Sequence, residues 1–171
     1  MTKTFNRRLY ASPGDFLADF RFIMSHRADI RAMMRGLDPA FRERLFLAVT
    51  QVNGCRYCSY FHAQQALTSG VSEAEVRAIG DGLLDNSPAQ ELTALCYAQH
   101  WAETDAHPLP EARARLLETY GEETTARIDL ALRMIRVGNL TGNLFDYLLF
   151  RLSFGRIDIN KPPGIRKHAN Y

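Results

Sequence analysis

The middle of the chain reads Asn53-Gly54-Cys55-Arg56-Tyr57-Cys58-Ser59-Tyr60-Phe61-His62. This stretch is a C-x-x-C motif with a histidine four residues beyond its second cysteine. On a helix, Cys58 and His62 share one face, and Cys55 lies one turn earlier. Two thiols and a titratable base are therefore expected in one small volume, and this spacing favours reversible thiol chemistry.

Helical patterns dominate on both sides of the motif, and no segment alternates polar and apolar residues convincingly with period two. Capping residues, prolines and glycines mark the expected helix ends. The predicted helices cover residues 13–35, 39–52, 55–69, a short stretch after Ser72, 87–103 and 110–121. The fold prediction is therefore all-α.

A last long helix is predicted over residues 122–154. It contains Gly138 and Gly142, and each glycine inside a helix costs about 1 kcal/mol relative to alanine, so an interruption is expected at one of them. The Pro162-Pro163-Gly164 run cannot be helical throughout. We therefore predict one compact helical domain over residues 1–154 and an extended C-terminal tail over residues 155–171.

The composition is that of an ordinary globular protein, with 46% hydrophobic and 23% charged residues among 171. A net charge of +2 without a dense basic stripe argues against nucleic acid or anionic membranes as partners. No secretory signal or membrane-spanning stretch is predicted, so we expect a soluble, cytoplasmic protein. Three cysteines in that compartment indicate metal binding or redox chemistry. The sequence has no Gly-rich phosphate loop and no dinucleotide fingerprint, so no cofactor is predicted.

The residues alone leave open which sulfur reacts. Cys55 follows the Asn53-Gly54 turn, where the unpaired N–H groups of a new helix stabilise an anion. Cys58 lies within reach of the His62 imidazole, and a neighbouring base also lowers the pKa of a thiol. The helix-end argument favours Cys55 as the attacking sulfur, and the imidazole argument favours Cys58.

Zinc binding is the alternative to redox chemistry. Cys55, Cys58 and His62 supply three ligands, whereas structural zinc sites use four, usually as two pairs. Cys96 and His100 have i,i+4 spacing and could complete such a site. Because no second C-x-x-C or H-x-H pair follows, redox chemistry is preferred and no bound metal is predicted.

Glu43 lies on the helix before the motif, just ahead of the apolar run 46–49. Partial burial beside that run would raise its carboxyl pKa toward a range useful for proton transfer. Arg42 and Arg44 flank it, however, and composition alone favours a surface glutamate.

The segment from Arg42 to Gly70 resembles the carboxymuconolactone decarboxylase superfamily, and within it the alkylhydroperoxidase-D-like branch. Glu43 stands twelve positions before Cys55, and the C-x-x-C-x-x-x-H pattern follows at that branch's spacing. The resemblance implies an all-helical, homo-oligomeric enzyme that reduces hydroperoxides and is re-reduced by an external thiol or dithiol. It also implies that Cys58 is the peroxidatic thiol, Cys55 the resolving thiol, and Glu43 with His62 a proton relay.

One position departs from the branch's pattern. The peroxidase members carry a histidine between the cysteines where this chain has Tyr57, and a phenol titrating near pH 10 is no base at neutral pH. Tyr57 is therefore expected to donate a hydrogen bond or to pack. The decarboxylase members lack the cysteine pair, which disfavours lactone decarboxylation. A redox sensor or scaffold with the family fold and little turnover is a further alternative.

Overall fold

The computed structural model of the protein describes residues 4–154, and the predicted tail over 155–171 lies outside them. Those residues form seven α-helices, with one short 3₁₀ turn and no strand, so the all-α prediction is confirmed. The helices are α1 Pro13–Ser25, α2 Arg27–Gly36, α3 Pro39–Asn53, α4 Arg56–Thr68, α5 Glu73–Gly80, α6 Leu92–Glu103 and α7 Pro110–Leu152. None of these helices is long and apolar enough to cross a membrane.

Helix α3 is the centre of the fold. The Asp38 side chain accepts a hydrogen bond from the Phe41 N–H at 2.9 Å, and Pro39 occupies the first turn, so the helix begins as its sequence predicts. The residues of α3 from 43 to 50 are all buried, because α4, α5, α6 and α7 pack around it. This central position places any polar side chain of α3 inside the protein.

The predicted continuous helix over residues 13–35 is wrong, because the chain breaks at His26 into α1 and α2. The His26 Nδ1 lies 2.9 Å from the Phe22 carbonyl oxygen, and its ring stacks on the Phe22 ring with centroids 4.0 Å apart. The imidazole thus binds the carbonyl that already accepts the His26 backbone N–H. This local competition ends α1 one residue earlier.

The two predictions for the last helical region have different outcomes. The end predicted near Gly121 is confirmed, since its backbone (φ 73°, ψ 173°) leaves the helical range within 110–152. The interruption predicted at Gly138 or Gly142 is wrong, because the helix continues through both residues. The reason is the close approach of α4, which the glycines permit.

Candidate dithiol site

The two cysteines stand at the junction between α3 and α4. Gly54 ends α3 in the left-handed conformation (φ 73°), which is strained for other residues and reverses the chain. Cys55 is the N-cap of α4, and its sulfur lies 3.5 Å from the backbone nitrogen of Cys58. Both cysteines are free thiols, with Cys55 fully buried, Cys58 partly exposed and their sulfur atoms 3.1 Å apart. A thiol pair at this separation needs little movement to form a disulfide.

Helix α7 supplies the surface on which the sulfurs rest. A Cβ at Gly142 would lie 2.8 Å from the Cys55 Sγ, and one at Gly138 would lie 3.9 Å from the Cys58 Sγ. One glycine therefore lies beside each sulfur, on the same face of α7. Their role is close packing against the cysteines, which explains why they do not break the helix.

Two buried asparagines of α7 hold the turn before the cysteines. Asn139 donates from Nδ2 to the Thr50 hydroxyl at 3.0 Å and accepts from the Asn53 Nδ2 at 3.1 Å. Asn143 donates to the Asn53 carbonyl at 2.7 Å. No role was predicted for these amides, although the repeated Gly-Asn pair four residues apart is a signal that could have identified them.

The two thiols have opposite tendencies to ionise. The pKa of Cys55 is lowered to about 7, chiefly by its hydrogen bond with the Cys58 thiol and further by backbone N–H groups and the charge of Arg7, against the opposing effect of burial. The pKa of Cys58 is raised by the hydrogen bond with Cys55, by burial and by the adjacent negative charge. In the reduced pair the thiolate therefore resides on Cys55, and Cys58 keeps its proton.

Glu43 and His62 are brought together across α3 and α4. The His62 Nδ1 lies 2.7 Å from the Glu43 Oε2, and the imidazole lies against the rings of Phe46 and Phe61. With Glu43 as a carboxylate, Nδ1–H is the donor and Nε2 is left as the proton acceptor. Among residues 4–154 no hydrogen bond links His62 to either sulfur, so proton exchange with them requires an intervening molecule.

Glu43 is buried, as expected from the apolar run beside it, and it is not the surface residue that composition alone favours, since only 3% of it is exposed. The flanking Arg42 still contacts it, with its NH2 3.3 Å from the Glu43 Oε1. Burial follows from the central place of α3, which sequence composition does not reveal.

The Tyr57 hydroxyl is a hydrogen-bond donor and not a base of this site. Its hydroxyl donates to the Asp146 Oδ1 at 2.7 Å. Burial raises the pKa of Tyr57, and so does its hydrogen bond to the carboxylate. The expectation that Tyr57 donates a hydrogen bond is confirmed, and Asp146 is a neighbour that sequence analysis missed.

The ligand set of the zinc alternative is not assembled. Cys96 is exposed on α6, and the His100 Nε2 accepts the Leu109 N–H at 3.1 Å. Within the part of the chain that the structure describes, no three His, Cys, Asp or Glu side chains are grouped as metal ligands.

A cavity of about 1130 Å³ lies elsewhere, between α1, α2 and α7. None of the four predicted site residues lines this cavity. The dithiol instead lies at the junction of α3 and α4 against α7, and Tyr60 and Phe61 further along α4 are exposed.

Comparison with known protein families gives a match. The model of the carboxymuconolactone decarboxylase family matches residues 20–99, a segment that holds Glu43, Cys55, Cys58 and His62. No curated protein and no solved structure matches the chain significantly. The resemblance to the carboxymuconolactone decarboxylase superfamily is thus confirmed over residues 20–99.

Proposed function

We propose that the protein is a thiol-dependent peroxidase that reduces hydroperoxides through a Cys55–Cys58 dithiol/disulfide cycle. The observation that carries the proposal is the pair of free sulfurs 3.1 Å apart, one buried and acidic, the other partly exposed. Such a pair separates two tasks. The exposed sulfur meets the oxidant, and the buried sulfur closes the disulfide.

In the first step the Cys58 sulfur attacks the terminal oxygen of the hydroperoxide. The O–O bond breaks, Cys58 becomes a sulfenic acid, and the alkoxide takes a proton and leaves as an alcohol. Cys58 is the attacking sulfur because Cys55 is fully buried. The Cys58 proton passes, through an intervening molecule, to His62.

In the second step the Cys55 sulfur attacks the sulfenic sulfur of Cys58. The S–O bond breaks, the departing hydroxide takes a proton from solvent and leaves as water, and a Cys55–Cys58 disulfide forms. An external thiol or dithiol then reopens the disulfide by exchange. In sum, the hydroperoxide gains two electrons to give an alcohol and water, and the external reductant supplies them. A reducing cytoplasm is the compartment that provides such reductants.

The Glu43–His62 pair serves as the proton relay for the first step. Glu43 holds Nδ1–H, so Nε2 accepts a proton from the thiol side, and the resulting imidazolium donates it to the departing alkoxide. Glu43 stabilises the imidazolium at a contact distance of 2.7 Å. The arrangement is a general base that becomes a general acid.

The test is peroxide treatment of reduced protein followed by mass measurement under denaturing conditions. We expect the loss of two hydrogen atoms and protection of Cys55 and Cys58, but not Cys96, from alkylation. The Cys58→Ser variant should not be oxidised, whereas Cys55→Ser should accumulate a sulfenic acid. If Cys55→Ser is the inert variant, the assignment of the two sulfurs is reversed.

Two further outcomes separate the alternatives. Stoichiometric zinc that blocks alkylation of both thiols would replace the proposal with the zinc-stabilised protein. A disulfide that forms with peroxide but is not reopened by small thiols or dithiols would favour a redox sensor.

A further inference from the structure

A buried polar cluster adjoins the dithiol through Arg56 and Tyr57, the two residues between the cysteines. At its centre is Asp146 of α7, whose side chain is fully buried. Its carboxylate accepts hydrogen bonds from the Tyr57 hydroxyl at 2.7 Å and from Arg56 at 2.8 Å, and it also pairs with Arg7. The described part of the cluster thus holds two guanidinium groups against one carboxylate.

Every donor of this cluster lies either between the two cysteines or against the turn that precedes them. Arg56 and Tyr57 are the two residues between Cys55 and Cys58. Arg7 comes from the N-terminal segment and lies against the preceding turn, with its Cγ 3.6 Å from the Cβ position of Gly54. The Asp146 carboxylate therefore joins the N-terminal segment, the first turn of α4 and α7 at one point beside Cys55.

We propose that Arg7 and Asp146 are positioning residues of the dithiol, which set how readily Cys55 holds a thiolate without touching the substrate. Their importance for turnover rests on the proposed function. Their effect on the thiols does not, because it is measured on the reduced protein without peroxide.

The charges around the pair define the direction of the effect. Five charged or titratable side chains surround the pair. They are Arg7 of the N-terminal segment, Arg56 and His62 of α4, Glu43 of α3, which contacts His62, and Asp146 of α7. Removing the Arg7 charge takes away positive potential beside Cys55. Removing the Asp146 charge takes away negative potential at the same place and so makes the potential there more positive. The two partners of one ion pair should therefore shift the thiol in opposite directions.

Shifts of opposite sign in the Cys55 pKa distinguish an electrostatic effect of the Arg7–Asp146 pair from a structural role. Loss of either partner of a purely structural ion pair loosens the same turn and moves the thiols in the same direction. The thiolate of Cys55 is present above the lowered pKa and is lost as the pH falls through it. Arg7→Gln should raise that pKa, and Asp146→Asn should lower it.

The experiment follows the ultraviolet absorbance of thiolate against pH in the reduced full chain, with Cys96→Ser in every sample so that only the pair contributes. For Arg7→Gln we expect the first apparent pKa to rise by about half a unit to one unit, about three- to tenfold less thiolate below the midpoint. Arg7→Lys keeps the charge and should restore the parental titration. Arg8→Gln is the matched control, because Arg8 anchors the same segment to the carbonyls of Ala102 and Glu103 without joining the cluster.

Opposite shifts for Arg7→Gln and Asp146→Asn, with Arg8→Gln unchanged, support the positioning pair. Shifts in the same direction, or none, overturn it. If Asp146→Asn does not fold, the two Arg7 variants provide the test. A first apparent pKa that is raised in Arg7→Gln but not in Arg7→Lys supports the inference. The same apparent pKa in both variants overturns it. A parent protein that titrates as expected but ignores peroxide would overturn the proposed function alone.

Discussion

The contact between Gly142 and Cys55 gives the sharpest prediction from this structure. Gly142→Ala places a methyl group 2.8 Å from the Cys55 Sγ and 3.5 Å from a ring carbon of Tyr57. The same substitution at Gly138, one turn earlier on α7, meets the Cys58 Sγ at an ordinary 3.9 Å. The two variants therefore differ in the sulfur contact and share the gain in helix propensity.

The expected magnitudes follow from these distances. Replacing a glycine inside a helix by alanine contributes about 1 kcal/mol to stability, so Gly138→Ala should raise the free energy of unfolding by up to that amount. Overpacking a buried site typically costs ~1–3 kcal/mol. Gly142→Ala should therefore be ~1–3 kcal/mol less stable than Gly138→Ala. Because contacts relax toward about 3.5–4.0 Å, the Cys55 sulfur must move by about 1 Å.

That displacement should affect the chemistry more than the stability. A misplacement of about 1 Å can cost on the order of a hundredfold in rate, so formation of the Cys55–Cys58 disulfide should slow by up to that factor in Gly142→Ala. Reaction of Cys58 with peroxide should change less, because its own contact with Gly138 is intact. Sulfenic acid should then accumulate in this variant before the disulfide appears.

The assays are denaturant unfolding of the reduced proteins and a time course of sulfenic acid and disulfide after peroxide addition. Gly138→Ala is the control in both. Equal free energies of unfolding and equal rates of disulfide formation for the two alanine variants would refute the argument that Gly142 seats the Cys55 sulfur.

Two further predictions concern the relay and the assembly. Glu43→Gln should slow oxidation of Cys58 by about a hundred- to ten-thousandfold, since general acid–base assistance is lost, as measured by stopped flow across pH. The control is Glu75→Gln, which removes a different buried carboxylate, one that pairs with Arg44 at 2.7 Å; it should lower stability but leave this rate unchanged. Equal oxidation rates for the parent and both variants would show that Glu43 takes no part in the reaction. The exposed apolar rows Leu17, Phe20, Met24 on α1 and Phe145, Leu148, Leu152 on α7 predict a homo-oligomer of at least two subunits. Light scattering checks this, and an active monomer at micromolar concentration would contradict it.

The sequence by itself determined the helical fold, most helix ends and the local geometry of the motif. These features depend on interactions within a few residues: Asp38 and Pro39 start α3, Gly54 ends it, and C-x-x-C spacing brings two thiols together. His26 is a local feature that sequence analysis missed, because a ring that binds its own helix's carbonyl leaves no periodic signal.

Only the tertiary structure decided the surroundings of the thiols. Whether Glu43 is a surface residue or a buried partner of His62 depends on the helices that enclose α3, and those are distant in the sequence. The same holds for Gly142 and Asp146, which lie about 90 residues after the cysteines they adjoin. A glycine lowers the stability of an isolated helix, but at Gly142 the absence of a side chain makes room for the Cys55 sulfur. Helix propensity is a local property, whereas this packing depends on a partner that is distant in the sequence.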